Sequence, residues 1–199
     1  MKALPLSTAT LPPGTELFRV QRPIPSTGAS GHAIGALHLP PTPGRRGRFD
    51  LGGVHVAAFA LDAQTAVYET LARSAARAVS LSLLGARELL SVYTTAPIIV
   101  YDARSHARGW PFLTAARYGA TQDEADEADA AHNLFGVLYA SAQRQGAECV
   151  ALFDKSLSAT AGVLTSLSGA SAAALLSAGG ALHADIVAAL VGSQLPLVP

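Results

Sequence analysis

Hydrophobic and polar positions alternate along much of the chain at intervals that predict short β-strands. Several other runs are continuously apolar over four to eight residues, which is typical of strands buried on both faces. Proline and glycine clusters near residues 23–31 and 40–47 predict loops between the first strands. The predicted strands lie at residues 17–20, 54–61, 89–93, 98–101, 136–139 and 148–153.

Two segments carry the pattern of helices instead. Asp62 precedes an apolar stripe with i, i+4 spacing, formed by Ala66, Val67, Leu71 and Ala75, and predicts a helix from an Asp62 N-cap to about residue 79. The sequence Thr-Gln-Asp-Glu at 121–124 has the form of a capping box and predicts the start of a second helix. Strands and helices together indicate a mixed α/β domain.

The composition divides the chain into three segments. Residues 1–16 are polar and rich in proline, which predicts an N-terminal arm. Residues 17–155 contain the strands and helices above and are expected to form the domain. Residues 156–199 carry one formal charge, Asp185, among Ala, Ser, Leu and Gly, and we expect a helical C-terminal extension.

The balance of acidic and basic residues argues against two classes of binding partner. Lys plus Arg and Asp plus Glu number 14 each, so no net field draws the protein to nucleic acid or to an anionic membrane. The cations are almost all arginine, since Lys2 and Lys155 are the two lysines. Arginine suits phosphate recognition, but a high-GC coding bias produces the same composition.

Several common site types are absent from the sequence. The one cysteine, Cys149, lies in an apolar run and reads as a small buried hydrophobe. The six histidines have no metal-ligand spacing, and no nucleophile elbow, P-loop, zinc-protease or dinucleotide-binding glycine motif occurs. No apolar stretch reaches the roughly 18 uncharged residues of a membrane span. We therefore expect a cytoplasmic protein that binds no metal.

Four separated motifs occur in a characteristic order. They are Leu-Phe-Arg-Val at 17–20, Gly-Arg-Phe-Asp at 47–50, Ala-Val-Tyr-Glu-Thr-Leu at 66–71, and Tyr-Ala-Ser at 139–141 followed by Gly146 and Val-Ala-Leu-Phe at 150–153. In order and spacing these motifs resemble the RES family, from about residue 17 to 154. The resemblance implies a fold similar to ADP-ribosyltransferases, breakdown of NAD⁺, and a bacterial toxin paired with a helix-turn-helix (Xre-type) antitoxin.

The chemistry of NAD⁺ cleavage needs the residue types that these motifs supply. Arginines can clamp the pyrophosphate, and Arg19 and Arg48 are the candidates. A carboxylate near the ribose can stabilise the developing oxocarbenium ion, and Glu69 is the candidate. The hydroxyl of Ser141 can hold the ribose or the departing amide. Catalysis is thus assigned to Glu69, Arg48 and Ser141, and NAD⁺ binding to Arg19, Arg48, Ser141 and Phe59.

Each residue also has a purely structural interpretation. Glu69 and Arg73 are spaced i, i+4 and suit a surface ion pair worth a few tenths of a kcal/mol. Arg48 and Arg19 can be solvated charges on a loop and on an edge strand. Ser141 can cap a turn.

One position departs from the family pattern. RES proteins usually carry a tyrosine in the strand before the helix glutamate, and here that position falls on Ala58 or Phe59. Phe59 retains a ring for stacking but has no hydroxyl, and Tyr68 is poorly placed to substitute. A catalytically weakened RES-like module that serves in binding or assembly is therefore the alternative function, and the uncharged tail could form a subunit or antitoxin interface.

A serine hydrolase using Ser141 lacks a recognisable base. Water, phosphate and a protein side chain all remain open as acceptors, and the oligomeric state is open too.

Overall fold

An eight-stranded sheet forms the centre of the protein. The computed structural model describes residues 7–23, 32–34, 37–39, 47–72, 77–104, 118–132, 134–154 and 167–199. Its strands are β1 (Thr8–Leu11), β2 (Glu16–Gln21), β3 (His32–Ile34), β4 (Leu37–Leu39), β5 (His55–Ala60), β6 (Val79–Ser80), β7 (Glu88–Thr94), β8 (Ile98–Asp102), β9 (Gly136–Ala140), β10 (Glu148–Asp154), β11 (Leu167–Ala174) and β12 (Leu197–Val198). The large sheet has the order β1-β8-β9-β10-β5-β2-β7-β11, and β3–β4 and β6–β12 form two-stranded pairs.

The predicted strands are confirmed, and their pairing explains their composition. β10 lies near the middle of the sheet, antiparallel to both β5 and β9. Its residues Val150, Leu152 and Phe153 are fully buried, as the continuous apolar run predicts. β8 and β9 are parallel, whereas the other described pairs of the large sheet are antiparallel.

Side chains of the sheet enter two separate hydrophobic clusters. In β5, Ala60 belongs to a cluster with Phe49, Val67 and Tyr139. Its neighbour Phe59 belongs to the other cluster, which includes Leu17 and Leu90. Successive residues of a strand point to opposite faces, so the two clusters lie on opposite sides of β5.

Helix α1 (Ala63–Leu71) begins at the predicted cap. Asp62 accepts a hydrogen bond from the amide of Thr65 at 2.9 Å and one from its hydroxyl at 2.6 Å. The helix ends earlier than predicted, with Ala72 as its C-cap, and Val79 belongs to β6 instead. Ala75, the last residue of the predicted stripe, lies outside the described residues.

Helix α3 (Gly119–His132), which follows the short helix α2 (Leu81–Gly85), does not begin at the predicted capping box. It begins two residues earlier, so Thr121 and Gln122 lie inside its first turn. Both are buried, and their side chains bind carbonyl groups outside the helix. The polar residues there serve tertiary contacts rather than a cap.

Both ends of the chain contribute to the sheet. Residues 8–11, which the composition places in an arm, form edge strand β1 beside β8. The C-terminal segment contains strand β11, paired with β7, before helix α4 (Ala184–Ser193). Backbone hydrogen bonding along an edge strand needs little hydrophobic patterning, so composition alone did not indicate these strands. No helix in the described part of the chain is long and apolar enough to cross a membrane.

Candidate active site

A cleft of about 470 Å³ opens where strands β2 and β5 diverge. Among the described residues these two strands share one register pair, Phe18 with Ala60. Beyond it, Arg19 and Ala58 both line the cleft, and Arg19 Nη1 donates a hydrogen bond to the Ala58 carbonyl at 3.3 Å. The cleft therefore takes the place of a continuous ladder between the two strands.

Glu69 lies in the last turns of α1 and lines this cleft. Its Oε1 accepts a hydrogen bond from Ser141 Oγ at 2.6 Å and another from the Ala142 amide at 2.9 Å. The Gln143 amide also approaches Oε1, at 3.4 Å. These donors fix the orientation of the carboxylate.

Ser141 lies behind Glu69 rather than on the surface of the cleft. The residue is fully buried, and its Oγ also accepts hydrogen bonds from the amides of Gln143 at 3.2 Å and Arg144 at 3.0 Å. With its hydroxyl engaged in this way, Ser141 is suited to positioning Glu69. The sequence had suggested direct contact with the ribose or amide.

Arg144 joins the Ser141 turn to the start of α1. Its Nη1 contacts Asp62 Oδ1 at 2.6 Å and Thr65 Oγ1 at 3.0 Å. Asp62 is the N-cap of α1, so one guanidinium connects the turn that binds Glu69 to the helix that carries it. The Arg144–Asp62 ion pair is partly exposed, so it contributes little to the free energy of unfolding and acts mainly by positioning the two segments.

Arg48 is held at the cleft by the first turn of α3. Thr121 Oγ1 donates a hydrogen bond to the Arg48 carbonyl, and Gln122 Nε2 donates one to the Gly47 carbonyl at 2.8 Å. The guanidinium carbon lies 5.1 Å from the centre of the Tyr118 ring, within cation–π range. Its Nη1 is buried, and the described residues give it no hydrogen-bond partner.

Arg19 carries a second unsatisfied group. Its Nε is buried without a hydrogen-bond partner in the described structure. Desolvation lowers the pKa of Arg19, while the nearby Asp50 and Tyr139 act in the opposite direction. A buried guanidinium nitrogen without an acceptor costs free energy, and a bound anion would supply that acceptor.

Two residues for which the sequence predicts no role also line the cleft. Arg87, just before β7, has a buried Nε with no partner in the described residues. Tyr139, from the motif that contains Ser141, is 6% exposed and packs its ring 4.6 Å from that of Phe49. Arg87 belongs to no motif, so only its position in the fold indicates a role.

Burial raises the pKa of two residues that line the cleft, Tyr139 and Cys149. Desolvation raises the pKa of Tyr139 well above its ordinary value, with smaller contributions from Cys149 and Glu69. Desolvation also raises the pKa of Cys149, and the charge of Glu69 adds to the effect. Both groups are therefore neutral at physiological pH, and Cys149 is the buried residue that the sequence predicted.

Phe59 is not brought together with the other candidate residues. It borders the cleft, but its ring is 3% exposed and packs in the cluster on the opposite face of β5. Ala58 is the residue of this strand that is exposed at the cleft. Ala58 carries a methyl group where a tyrosine would carry a ring.

The site thus combines one oriented carboxylate with three arginines, Arg19, Arg48 and Arg87, around one cleft. Such a set can bind an anionic ligand and stabilise positive charge that develops beside the carboxylate. Within the described residues, no group of three or more His, Cys, Asp or Glu side chains could hold a metal ion.

Comparison with known proteins agrees with this architecture. The chain is similar to the crystal structure of the M. tuberculosis MbcT–MbcA toxin–antitoxin complex, with 14% identity and a TM-score of 0.54, over 82% of this chain and 86% of that one. At this identity the similarity shows the fold, and it confirms the mixed α/β class. No curated protein sequence matches the chain. The family model of the RES domain matches residues 16–170. Because that match spans most of the chain, the protein belongs to the RES domain family.

Proposed function

We propose that this protein is a toxin-like enzyme that cleaves NAD⁺ at the bond between nicotinamide and ribose. The observation that carries the proposal is the oriented Glu69 carboxylate in a cleft that also holds partnerless arginine nitrogens. NAD⁺ carries a pyrophosphate for the arginines and a ribose that becomes cationic as the bond breaks. The family and the fold support the same reading.

In the proposed reaction the glycosidic C–N bond breaks and its electron pair leaves with the nicotinamide nitrogen. The ribose carbon becomes an oxocarbenium ion, which the Glu69 carboxylate stabilises. An acceptor oxygen then bonds to that carbon and releases its proton. Ser141 and Ala142 hold the carboxylate in place. Water, phosphate and a protein side chain are the candidate acceptors.

Arg19 and Arg48 are assigned to phosphate binding at the nicotinamide end of the substrate. Each has a buried nitrogen that lacks a partner in the described structure, and arginine pairs with phosphate in a planar, bidentate geometry. The Tyr118 ring lies 5.1 Å from the guanidinium carbon of Arg48 and adds a cation–π contact. NAD⁺ is thus a substrate in this proposal, and no metal is needed.

The proposal is tested by Glu69→Gln, which removes the charge and retains an oxygen acceptor for Ser141. NAD⁺ turnover should fall by about 10²-fold or more, because the developing cation loses its counter-charge. The thermal midpoint should stay within about 4 °C, equivalent to about 1 kcal/mol. Glu127→Gln, on the exposed face of α3, is the matched control and should retain parental turnover. A folded Glu69→Gln protein with parental turnover would contradict the proposal.

A catalytically weakened binding or assembly module is the second candidate, and Ala58 is the observation that favours it. The family tyrosine is missing, and the Phe59 ring packs elsewhere. Under this candidate the parent protein consumes no NAD⁺ and Ala58→Tyr, which restores a ring at the cleft, gains activity. Parental turnover that depends on Glu69 would eliminate this candidate.

The proposal also includes a protein partner, an antitoxin of the Xre helix-turn-helix type. The similar solved structure is itself a toxin–antitoxin complex. Co-expression with the product of an adjacent helix-turn-helix gene should relieve growth arrest and yield a stable complex on size-exclusion chromatography. Persistent arrest with no complex would contradict this assignment. The same column reports whether the protein forms a homo-oligomer.

A further inference from the structure

We propose that Arg87 is a specificity-determining residue, which binds the phosphate on the adenosine side of a dinucleotide and so favours dinucleotides over mononucleotides. The inference rests on the proposed function, since it takes the substrate to be NAD⁺-like. It extends that function to a residue outside the sequence motifs.

Arg87 and Arg48 reach the cleft from different elements, Arg87 from the β7 side and Arg48 from the side of α3. Arg48 is attached to α3 through Thr121, and α3 contacts β8, where Tyr101 Oη donates to Glu124 Oε1 at 2.6 Å. Arg87 directly precedes β7. Strands β9, β10, β5 and β2 lie between β8 and β7. A ligand that binds both arginines therefore contacts two different parts of the cleft wall.

The electrostatic surroundings also separate Arg87 from the reacting end. Glu69 and Arg48 both act on the hydroxyl of Tyr139, and Tyr139 acts on Arg19. Arg87 responds to a different neighbour, because desolvation and then the charge of Arg22 lower its pKa. The carboxylate and two arginines thus lie near Tyr139, whereas the β2–β7 register, in which Gln21 faces Glu88, places Arg87 beside Arg22 at the end of β2.

The backbone of Arg87 is fixed on both sides. Its amide donates to the Leu84 carbonyl at 3.1 Å, and its carbonyl accepts from the Leu175 amide at 3.3 Å. The buried Nε has no partner in the described structure. A phosphate oxygen would supply the missing acceptor and offset the repulsion from Arg22.

This geometry assigns the two phosphates of a dinucleotide to different arginines. The phosphate attached to the nicotinamide ribose lies next to the scissile bond, on the side of Glu69, Arg19 and Arg48. The second phosphate, attached to adenosine, lies further along the cleft at Arg87. A nicotinamide mononucleotide lacks that second phosphate and gains nothing from Arg87.

The test is calorimetric titration with two probes, ADP and nicotinamide mononucleotide, on the full chain. ADP contains no nicotinamide bond, so it reports binding whether or not the protein cleaves NAD⁺. Titrations with the mononucleotide use the Glu69→Gln background so that the ligand is not consumed. Arg22→Gln, the loss of an exposed neighbouring charge outside the cleft lining, is the matched control.

We expect Arg87→Gln to weaken ADP binding by roughly tenfold, the effect of losing one charge-assisted hydrogen bond. Affinity for the mononucleotide should change by less than about twofold, and Arg22→Gln should have little effect on either probe. Equal losses for both probes, unchanged ADP affinity in Arg87→Gln, an equal loss in Arg22→Gln, or no ADP binding by the parent would each overturn the inference. Failure of NAD⁺ cleavage would leave the ADP result intact, so the two proposals fail separately.

Discussion

At the scale of single residues, the candidate site depends on how one carboxylate is held. Glu69 receives a hydroxyl donor and a backbone amide on the same oxygen, and both come from the turn after β9. In the proposed reaction Ser141 therefore acts through Glu69, by orienting its carboxylate. A positioning residue of this kind affects the rate of the chemical step more than substrate affinity.

Ser141→Ala tests this role. The variant loses the donor to Glu69 and the acceptor for two turn amides, so we expect kcat for NAD⁺ to fall about tenfold or more with KM changed much less. The free energy of unfolding should drop by about 1–3 kcal/mol. Ser91→Ala is the matched control, because Ser91 Oγ donates to Glu16 Oε1 at 2.5 Å outside the cleft. An equal loss of kcat in both variants would show a purely structural role for Ser141.

The sequence predicted part of this site. Arg19, Arg48, Glu69 and Ser141 were identified by motifs, and the fold brings them to one cleft or directly behind it. Spacing could not show that the Ser141 hydroxyl is directed at Glu69, because that contact joins residues 72 positions apart. Arg87 belongs to no sequence motif. The face of β5 on which the Phe59 ring packs depends on how that strand is paired within the sheet.

At the scale of secondary-structure elements, helix α3 positions the loop that carries Arg48. In its first turn, Thr121 donates a hydrogen bond to the Arg48 carbonyl and Gln122 donates one to the Gly47 carbonyl. The capping-box pattern at 121–124 predicts a local cap, whereas Thr121 and Gln122 make tertiary hydrogen bonds. Local sequence rules cannot distinguish the two uses, since both require the same side chains.

Thr121→Val tests the link between α3 and the Arg48 loop. Valine retains the shape of threonine but cannot donate to the Arg48 carbonyl, so the loop should lose its fixed position. We expect KM for NAD⁺ to rise roughly three- to tenfold, as for the loss of one hydrogen bond, with kcat nearly unchanged. Steady-state kinetics measure both constants. The control Glu127→Gln should match the parent, and an unchanged KM in Thr121→Val would refute this role of α3.

At the scale of the whole molecule, the hydrophobic pattern predicted the central strands and the mixed α/β class. The edges were not predicted, because β1 and β11 are joined to the sheet by backbone bonds and carry mostly small or polar residues. The splaying of β2 from β5, which creates the cleft, is also a property of the whole sheet. This separation of the two strands cannot be predicted from any short segment of the sequence.

Two buried side chains with weakly acidic groups, a thiol and a phenol, make the free energy of unfolding of the domain depend on alkaline pH. Burial raises the pKa values of Cys149 and Tyr139 above their ordinary values of 9.0 and 10.0. Each raised pKa contributes stability that is fully present below the unfolded pKa and is lost as pH rises toward the folded pKa. The free energy of unfolding should therefore begin to fall above about pH 9, by about 1.4 kcal/mol per pH unit for each group.

Denaturant titrations between pH 7 and 10.5 measure this slope. Cys149→Ala should remove the component that begins near pH 9, while the component from tyrosine, which begins near pH 10, remains. An unchanged slope between pH 9 and 10 in Cys149→Ala would contradict the assignment to the thiol.

The measurement that tests the central claim most directly is NAD⁺ consumption by the purified protein, free of any antitoxin, with and without phosphate. Chromatography separates nicotinamide from the ADP-ribosyl product. We predict stoichiometric release of nicotinamide, with free ADP-ribose identifying water as the acceptor and a phosphate-dependent product identifying phosphate. A folded protein that leaves NAD⁺ intact under both conditions, with and without an added protein acceptor, would contradict the account.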